Sequence, residues 1–208
     1  GAVVAEQMQC MGAKVIAVSD SQGGIIDDAG LDLAQVTAYK REHGSLIGLP
    51  GTMSATNDAL LEVDCDVLVP AALSHQICTH NAERIKAKLI VEAANGPISP
   101  EGDRMLAGKG IQVLPDILAN AGGVTVSYFE WVQNLENQQW ELDEVNEKLL
   151  KKINKAVDVS VERLKLLAAD ECKLPEDDHG YPLDLRTASL VIALEKLVTV
   201  TEQRGIWP

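Results

Sequence analysis

The stretch Pro115–Trp131 reads PDILANAGGVTVSYFEW and is the part of the chain that decides the fold. A strand that ends near Pro115, an Asn-Ala-Gly-Gly turn and a helix that begins near Val124 fit this pattern. That geometry places backbone amides and the Ser127 hydroxyl at the carboxyl end of a sheet, where open α/β folds bind ligands. Spacing alone favours a plainer interpretation, a glycine-rich turn that leads into a core helix.

Short apolar runs on the amino-terminal side of this stretch predict strands at Lys14–Val18, Asp66–Val69, Lys88–Glu92 and Gly110–Leu114. About twenty residues separate each of the last three from the next, which is enough for one crossover helix. Short apolar strands that alternate with helices indicate a parallel sheet covered on both faces. We therefore predict an α/β fold with a doubly wound, Rossmann-like and mainly parallel sheet.

Helix boundaries are marked by ordinary start and stop signals. Residues 2–11 carry apolar positions at helical spacing and precede Gly12, and a second pattern at 31–43 is closed by Gly44. Ser99, followed by proline and glutamate, predicts a capped helix start.

The character of the chain changes after Val124. Long helical patterns without strand signals cover residues 124–139, 143–169 and 184–203. We place a boundary near residue 128, with a dinucleotide-binding domain at 1–127 and a hinge with a C-terminal helical extension at 128–208. The segment 170–183 is long, and no function follows from it.

Composition and spacing exclude several classes of protein. A net charge of −13 over 208 residues repels phosphate backbones, so nucleic acid is not an expected partner. The apolar run near 67–73 is too short for a transmembrane helix and is interrupted by Pro70, and no signal-peptide pattern opens the chain, so no membrane association is expected. The four cysteines and four histidines lack CxxC and HExxH spacing. We expect free thiols in a reducing cytoplasm, no metal, and an organic cofactor.

Dinucleotide-binding units run from a strand through a glycine-rich turn into a helix, and an acid follows the second strand about twenty residues beyond the glycines. Gly1 fits the last glycine of such a turn, and Asp20 lies at the expected distance. The alternatives are an arbitrary glycine and a turn aspartate. In the doubly wound order the first strand is central, so we expect the sheet to be N-terminally truncated.

Two further turns follow predicted strands. Small side chains at Ala71 and Ala72 allow a flat ring or a phosphate to approach the backbone. Asn95, in the next turn, offers the donor and acceptor that a nicotinamide carboxamide needs. Taken by themselves, both segments are more simply interpreted as ordinary structural turns.

Several segments together carry a family resemblance. In order they are Ala17–Ile25, Tyr39–Gly44, Leu68–Ala72, Val91–Pro97, Pro115–Trp131, the Arg186-Thr-Ala motif and Arg204–Pro208. This set, which covers nearly the entire chain, closely resembles the glutamate dehydrogenases. Leucine, valine and phenylalanine dehydrogenases share the architecture but not the Asn-Gly-Pro and Tyr-Phe-Glu-Trp motifs.

The resemblance implies reversible oxidative deamination of L-glutamate to 2-oxoglutarate and ammonia, with NAD or NADP as the cofactor. It also implies a homo-oligomer, which is a hexamer in the family pattern. It implies that Asp20 and Ser21 face the adenosine ribose, that Ala71, Ala72 and Asn95 line the cofactor, and that Asn120 lies beside the nicotinamide. It further implies that Val124 and Ser127 reach the glutamate. Asp20 favours NAD, because its carboxylate repels a 2′-phosphate.

The chain departs from the family pattern in one respect. The catalytic lysine, its aspartate partner and the lysines that bind glutamate belong to an N-terminal substrate domain that these 208 residues do not include. No catalytic acid or base is therefore assigned, and the chain alone is expected to be inactive. Another amino-acid dehydrogenase and a non-catalytic NAD-sensing module are the alternative functions.

Overall fold

The computed structural model describes residues 1–169 and 183–205. Within them the strands form two separate three-stranded sheets. The strands are β1 (Ala17–Ser19), β2 (Gly24–Ile26), β3 (Met53–Ala55), β4 (Val67–Leu68), β5 (Leu89–Val91) and β6 (Gln112–Leu114). The α-helices are α1 (Ala2–Cys10), α2 (Leu33–His43), α3 (Asn57–Leu61), α4 (Pro100–Gly108), α5 (Asp116–Ala119), α6 (Ala121–Glu136), α7 (Leu142–Ala169) and α8 (Leu185–Arg204).

The second sheet is parallel, in the order β4-β5-β6, which confirms the predicted α/β class. Leu68 pairs with Ile90, and Ile90 pairs with Val113. Ile90 is fully buried, and it belongs to a core formed by Leu68, Ile77, Ala82, Ile85, Ala87, Ile90, Ile98 and Leu106. Because the three strands run in the same direction, the loops that follow them meet at one edge of the sheet.

The first sheet is antiparallel, so the expectation that the strand at 14–18 belongs to the parallel sheet was wrong. The strand predicted at 14–18 is observed as β1, and it does not join the parallel sheet but turns back to pair with β2, which also pairs with β3. Neither β2 nor β3 was predicted. β2 begins at Gly24, where the backbone lies against Leu60 and leaves no room for a side chain. An added Cβ at Gly24 would stand 2.3 Å from Leu60 Cδ1. A strand that begins with glycine gives a weak sequence signal.

The first sheet has a core of its own. Its buried members come from β2, α2 and the loops on either side of that helix, and they are Ile25, Leu31, Leu33, Val36, Leu46 and Leu49. The predicted end of α2 is confirmed, since Gly44 closes the helix in a left-handed conformation at φ 74°. The helix begins at Leu33 rather than at the predicted Leu31, because Asp32 caps it by accepting the Ala34 and Gln35 amides.

Only one of the two predicted crossover α-helices exists. α4 connects β5 to β6, and Ser99 caps it by accepting the Gly102 amide, as predicted. Between β4 and β5 there is only a single 3₁₀ turn at Ala82–Arg84. Buried Asn81 organises this connection, because its side chain accepts the Cys78 amide and donates to the Gln76 carbonyl. Side-chain hydrogen bonds thus replace the helix that length alone predicted.

The stretch that follows β6 differs from its prediction. A short helix, α5, occupies 116–119, and α6 begins at Ala121 rather than near Val124. Gly122 and Gly123 lie in the first turn of α6 with φ outside the positive range, so the predicted Asn-Ala-Gly-Gly turn is helical. The domain boundary placed near residue 128 falls inside α6 and stays a prediction.

The three long helical patterns are observed as α6, α7 and α8, and α7 packs along α8. Ser160 and Ser189 meet at the buried centre of this pair, with their hydroxyl oxygens 3.3 Å apart. Of the segment 170–183 noted above, residues 170–182 lie outside the described residues, as do Ile206–Pro208. No helix among the described residues is long and apolar enough to cross a membrane.

Candidate functional site

The loops after β4 and β5 are hydrogen-bonded to each other at the carboxyl edge of the parallel sheet. The Ala94 amide donates to the Pro70 carbonyl over 3.0 Å, and the His75 amide donates to the Gly96 carbonyl over 2.8 Å. These bonds make one continuous rim from the two loops, and a third loop, after β6, completes it. Open α/β sheets bind their ligands at such an edge.

An amide pair lies on this rim. Asn120 Nδ2 donates to Asn95 Oδ1 over 2.6 Å, which links the start of α6 to the loop after β5. Gly96 has φ 52° and its amide donates to Asp116 Oδ2 over 2.8 Å, so the loop is held from its next residue as well. The structure therefore brings together two of the predicted cofactor residues, and Asn95 is exposed to solvent.

The amino-terminal end of α1 meets the loop after β4. An added Cβ at Gly1 would stand 3.9 Å from the Cβ of Ala71. Gly1 caps α1 without a side-chain hydrogen bond, and no acidic residue occupies the first turn. The first amides of a helix lack partners within the helix and attract anions. Gly1 and Ala71 thus form the part of the rim suited to a phosphate, with exposed Ala72 beside them.

Asp20 directly follows β1, close to its predicted place, and its carboxylate already has hydrogen-bond partners. Oδ1 accepts the Gln22 amide over 2.8 Å, while Oδ2 accepts the Leu46 amide over 3.2 Å and lies 3.1 Å from Lys40 Nζ. The Asp20 side chain is 6% exposed. Ser21 is exposed. Among the described residues, no hydrogen bond joins these two residues to the amide pair.

The surroundings of Asp20 favour its charged form. Burial by itself would raise the pKa of its carboxyl, but the hydrogen bond from the Gln22 amide and the nearby Lys40 ammonium outweigh this effect and lower the pKa. Asp20 is therefore an anion that stabilises its own turn and has the Lys40 ammonium beside it.

The predicted substrate residues lie on α6. Val124 is 72% exposed, and Ser127 is exposed as well. With Asn120 they occupy positions i, i+4 and i+7, which fall on one face of a helix. The face that begins at the amide pair therefore continues through an apolar side chain to a hydroxyl.

Sequence reasoning did not assign a role to Arg186, which reaches this region from α8. Its Nη1 lies 3.0 Å from Glu92 Oε2 and 3.6 Å from Asp116 Oδ1, and its Nε lies 3.0 Å from Asp103 Oδ2. Burial would lower the pKa of the guanidinium, but the bond to Glu92 and the charge of Asp103 raise it. Glu92 at the end of an apolar strand was a usable signal, because a buried carboxylate needs a cation.

Metal ligation has no support in the part of the chain that the structure describes, where no group of three or more His, Cys, Asp or Glu side chains could hold an ion. Cys78 Sγ and His80 Nδ1 lie 2.8 Å apart, but they form a pair and not a group of three. Cys10, Cys65 and Cys78 are free thiols.

The family model for glutamate/leucine/phenylalanine/valine dehydrogenases matches residues 1–205. The chain belongs to this dehydrogenase family. A glutamate dehydrogenase of Thermotoga maritima is 48% identical over 200 residues, which are 96% of this chain and 45% of that protein. The chain thus spans about half the length of the curated relatives it matches.

Relatives of this chain differ in the cofactor that their names specify. An NADP-specific glutamate dehydrogenase of Halobacterium salinarum is 46% identical over all of this chain and 47% of its own length. An NAD-specific glutamate dehydrogenase of Staphylococcus aureus is 40% identical over 99% of this chain and 46% of its own length. A crystal structure of hetero-hexameric glutamate dehydrogenase from Thermus thermophilus superposes with a TM-score of 0.85 at 34% identity, over all of this chain and 46% of that one.

Proposed function

We propose that this chain is the cofactor-binding part of an NAD(P)-dependent glutamate dehydrogenase, which converts L-glutamate to 2-oxoglutarate and ammonia and back. The observation that carries the proposal is the Asn120–Asn95 amide pair on the carboxyl edge of the parallel sheet. Family membership and the names of the relatives support the reaction.

The rim fits a dinucleotide. Gly1 lets the pyrophosphate approach the first amides of α1, and Ala71 and Ala72 leave space for the cofactor next to that helix end. Asn95 and Asn120 together offer amide donors and acceptors that match a carboxamide. When bound, the nicotinamide ring supplies the hydride acceptor, and the chain's own residues bind and orient it.

Substrate recognition falls to the exposed face of α6. In the proposal, Val124 contacts the aliphatic part of glutamate, and the Ser127 hydroxyl donates to its side-chain carboxylate. A hydroxyl set beside apolar groups selects strongly, because a substrate without an acceptor leaves it unpaired.

We propose NAD as the preferred cofactor, with the Asp20 turn and Ser21 beside the adenosine ribose. The carboxylate remains an anion, which disfavours a 2′-phosphate. Lys40, 3.1 Å from the Asp20 carboxylate, opposes that effect and reduces the size of the preference. The preference is therefore expected to be modest, in keeping with relatives named for either cofactor.

The complete protein is proposed to be a cytoplasmic homo-oligomer, and a hexamer by analogy with the hetero-hexameric relative. Leu194 and Leu197 on α8 are 60% and 65% exposed, which suits contacts with other parts of an assembly. In the complete protein, the cofactor domain and the helices after residue 127 are proposed to close together over the substrate. This closure would orient the reactants and exclude water.

The test is an assay of the complete protein for reduction of NAD and NADP with glutamate, leucine, valine and phenylalanine. We expect turnover with glutamate and none with the 208-residue chain alone, because no acid or base in it is assigned to the chemistry. Turnover with another amino acid in place of glutamate would identify the protein as a different amino-acid dehydrogenase of the same family. Cofactor binding without turnover on any amino acid would favour a sensing module.

A further inference from the structure

Arg186 connects the C-terminal helix α8 to the rim of the parallel sheet. One guanidinium faces three carboxylates from three other segments: Glu92 at the end of β5, Asp103 in α4 and Asp116 in α5. Glu92 is completely buried, and its Oε1 has no hydrogen-bond partner among the described residues. Arg186 therefore balances negative charge that would otherwise be uncompensated at the edge of the sheet.

Two of these carboxylates hold the backbone on which the amide pair is built. Glu92 Oε2, which lies 3.0 Å from Arg186 Nη1, also accepts the Asp116 amide over 2.8 Å. Asp116 in turn accepts the Gly96 amide over 2.8 Å. The chain of contacts thus runs from Arg186 through Glu92 and Asp116 to the residue next to Asn95.

We propose that Arg186 is a positioning residue, which sets the separation of Asn95 and Asn120 by holding Glu92 and Asp116 together. The inference rests on the proposed function and adds to it a role for α8, a helix that lies outside the cofactor domain. Without the guanidinium, the Glu92 and Asp116 carboxylates repel each other, the Asp116–Gly96 bond opens, and the two amides separate.

The geometry requires arginine rather than a cation of any kind. The Nη1 atom faces Glu92 and Asp116, while Nε faces Asp103. A lysine ammonium is a point charge on a flexible stem and cannot hold these carboxylates in a fixed planar arrangement. Charge alone is therefore expected to restore folding but not the placement of the amide pair.

The experiment compares Arg186→Met and Arg186→Lys in the complete protein. We expect both variants to raise the KM for the cofactor and to lower kcat/KM by about 10- to 100-fold, as small misplacements at a reacting site do. Arg186→Lys is expected to recover most of the loss in Tm but not the cofactor KM. In both variants the Gly96 amide should exchange with deuterium about tenfold faster, read from a peptide that covers residues 93–97.

Asp103→Asn is the matched control. It removes the ion pair between Arg186 Nε and α4 but leaves the contacts of Arg186 Nη1 with Glu92 and Asp116. We expect a lower Tm with an unchanged cofactor KM and unchanged exchange at Gly96.

The positioning role is overturned if Arg186→Lys and Arg186→Met keep the wild-type cofactor KM and Gly96 exchange while only Tm falls. It is also overturned if Asp103→Asn raises the cofactor KM as much as they do. Failure of the proposed function is distinguishable, because the wild-type protein would then lack amino-acid-dependent reduction while the exchange at Gly96 would still respond to Arg186.

Discussion

Lys40 Nζ lies 3.1 Å from Asp20 Oδ2, so the acid expected to read the adenosine ribose is paired with a cation from α2. The two oxygens of Asp20 also accept the amides of Gln22 and Leu46. One side chain thus carries a structural role and a proposed selective role. The two roles are separable by experiment.

Cofactor choice should respond to both members of this pair, in opposite directions. We expect Asp20→Ser to shift the ratio of kcat/KM for NAD over NADP toward NADP by about tenfold, since a negative charge is removed. Lys40→Met should shift the ratio toward NAD, because the carboxylate then repels a 2′-phosphate without compensation. Steady-state kinetics of the complete protein with both cofactors measures this. The exposed neighbour Arg41, changed to Met, is the control, and an unchanged ratio in Asp20→Ser would reduce Asp20 to a turn former.

The structural role of Asp20 predicts a definite dependence of stability on pH. Its pKa is lower in the folded protein than the ordinary value of 3.8, so the unfolded chain takes up the proton first as pH falls. The contribution of Asp20 is therefore complete above about pH 5 and is lost as pH falls through the folded-state pKa. We expect Asp20→Asn to cost about 1–3 kcal/mol of unfolding free energy at neutral pH. Urea unfolding of both proteins along a pH series would contradict this if the difference stayed constant into the acid range.

Ser127→Ala should raise the KM for glutamate and leave the KM for the cofactor nearly unchanged. Loss of a hydrogen bond to a charged group costs about 1.5–3 kcal/mol, which corresponds to roughly 10- to 150-fold. Thr125→Ala is the control, because two residues along a helix turn the side chain to the other side. Equal shifts in both KM values would assign Ser127 to the helix alone.

The amide pair should behave as a unit. We expect Asn95→Ala and Asn120→Ala each to weaken cofactor binding, and the double variant to be weaker by less than the sum. A coupling of about 0.5–3 kcal/mol is typical of residues in contact. Titration of NADH fluorescence with the wild type, the two single variants and the double variant completes this double-mutant cycle. Additive losses of binding free energy would show that the 2.6 Å contact between Asn95 and Asn120 has no part in cofactor binding.

Local signals predicted the elements whose causes are local. The cap at Ser99, the left-handed glycine at Gly44 and the apolar runs that become β4, β5 and β6 each depend on residues within a few positions of one another. The antiparallel sheet does not, because Gly24–Ile26 becomes a strand only through its partners on both sides and the approach of Leu60.

The candidate site shows the same division. Family resemblance led to Asn95 and Asn120 as separate residues, whereas their contact depends on where the loops after two strands meet in space. Arg186 acts on Glu92 across 94 positions of sequence, since the two residues carry the numbers 186 and 92. No spacing rule covers such a distance. The glycines of the predicted turn were misassigned because glycine in the first turn of a helix resembles glycine in a loop.

Helix α6 runs without interruption from Ala121 to Glu136 and carries the proposed substrate residue seven positions after Asn120. At ~1.5 Å per residue it holds the two ends of that interval about 10 Å apart. In the proposed function, α6 therefore fixes the distance between the amide beside the nicotinamide and the hydroxyl that contacts the substrate, and this distance would limit the length of the substrate. Insertion of one residue between them would rotate Ser127 by ~100° about the axis. The proposed function therefore constrains the number of residues between Asn120 and Ser127.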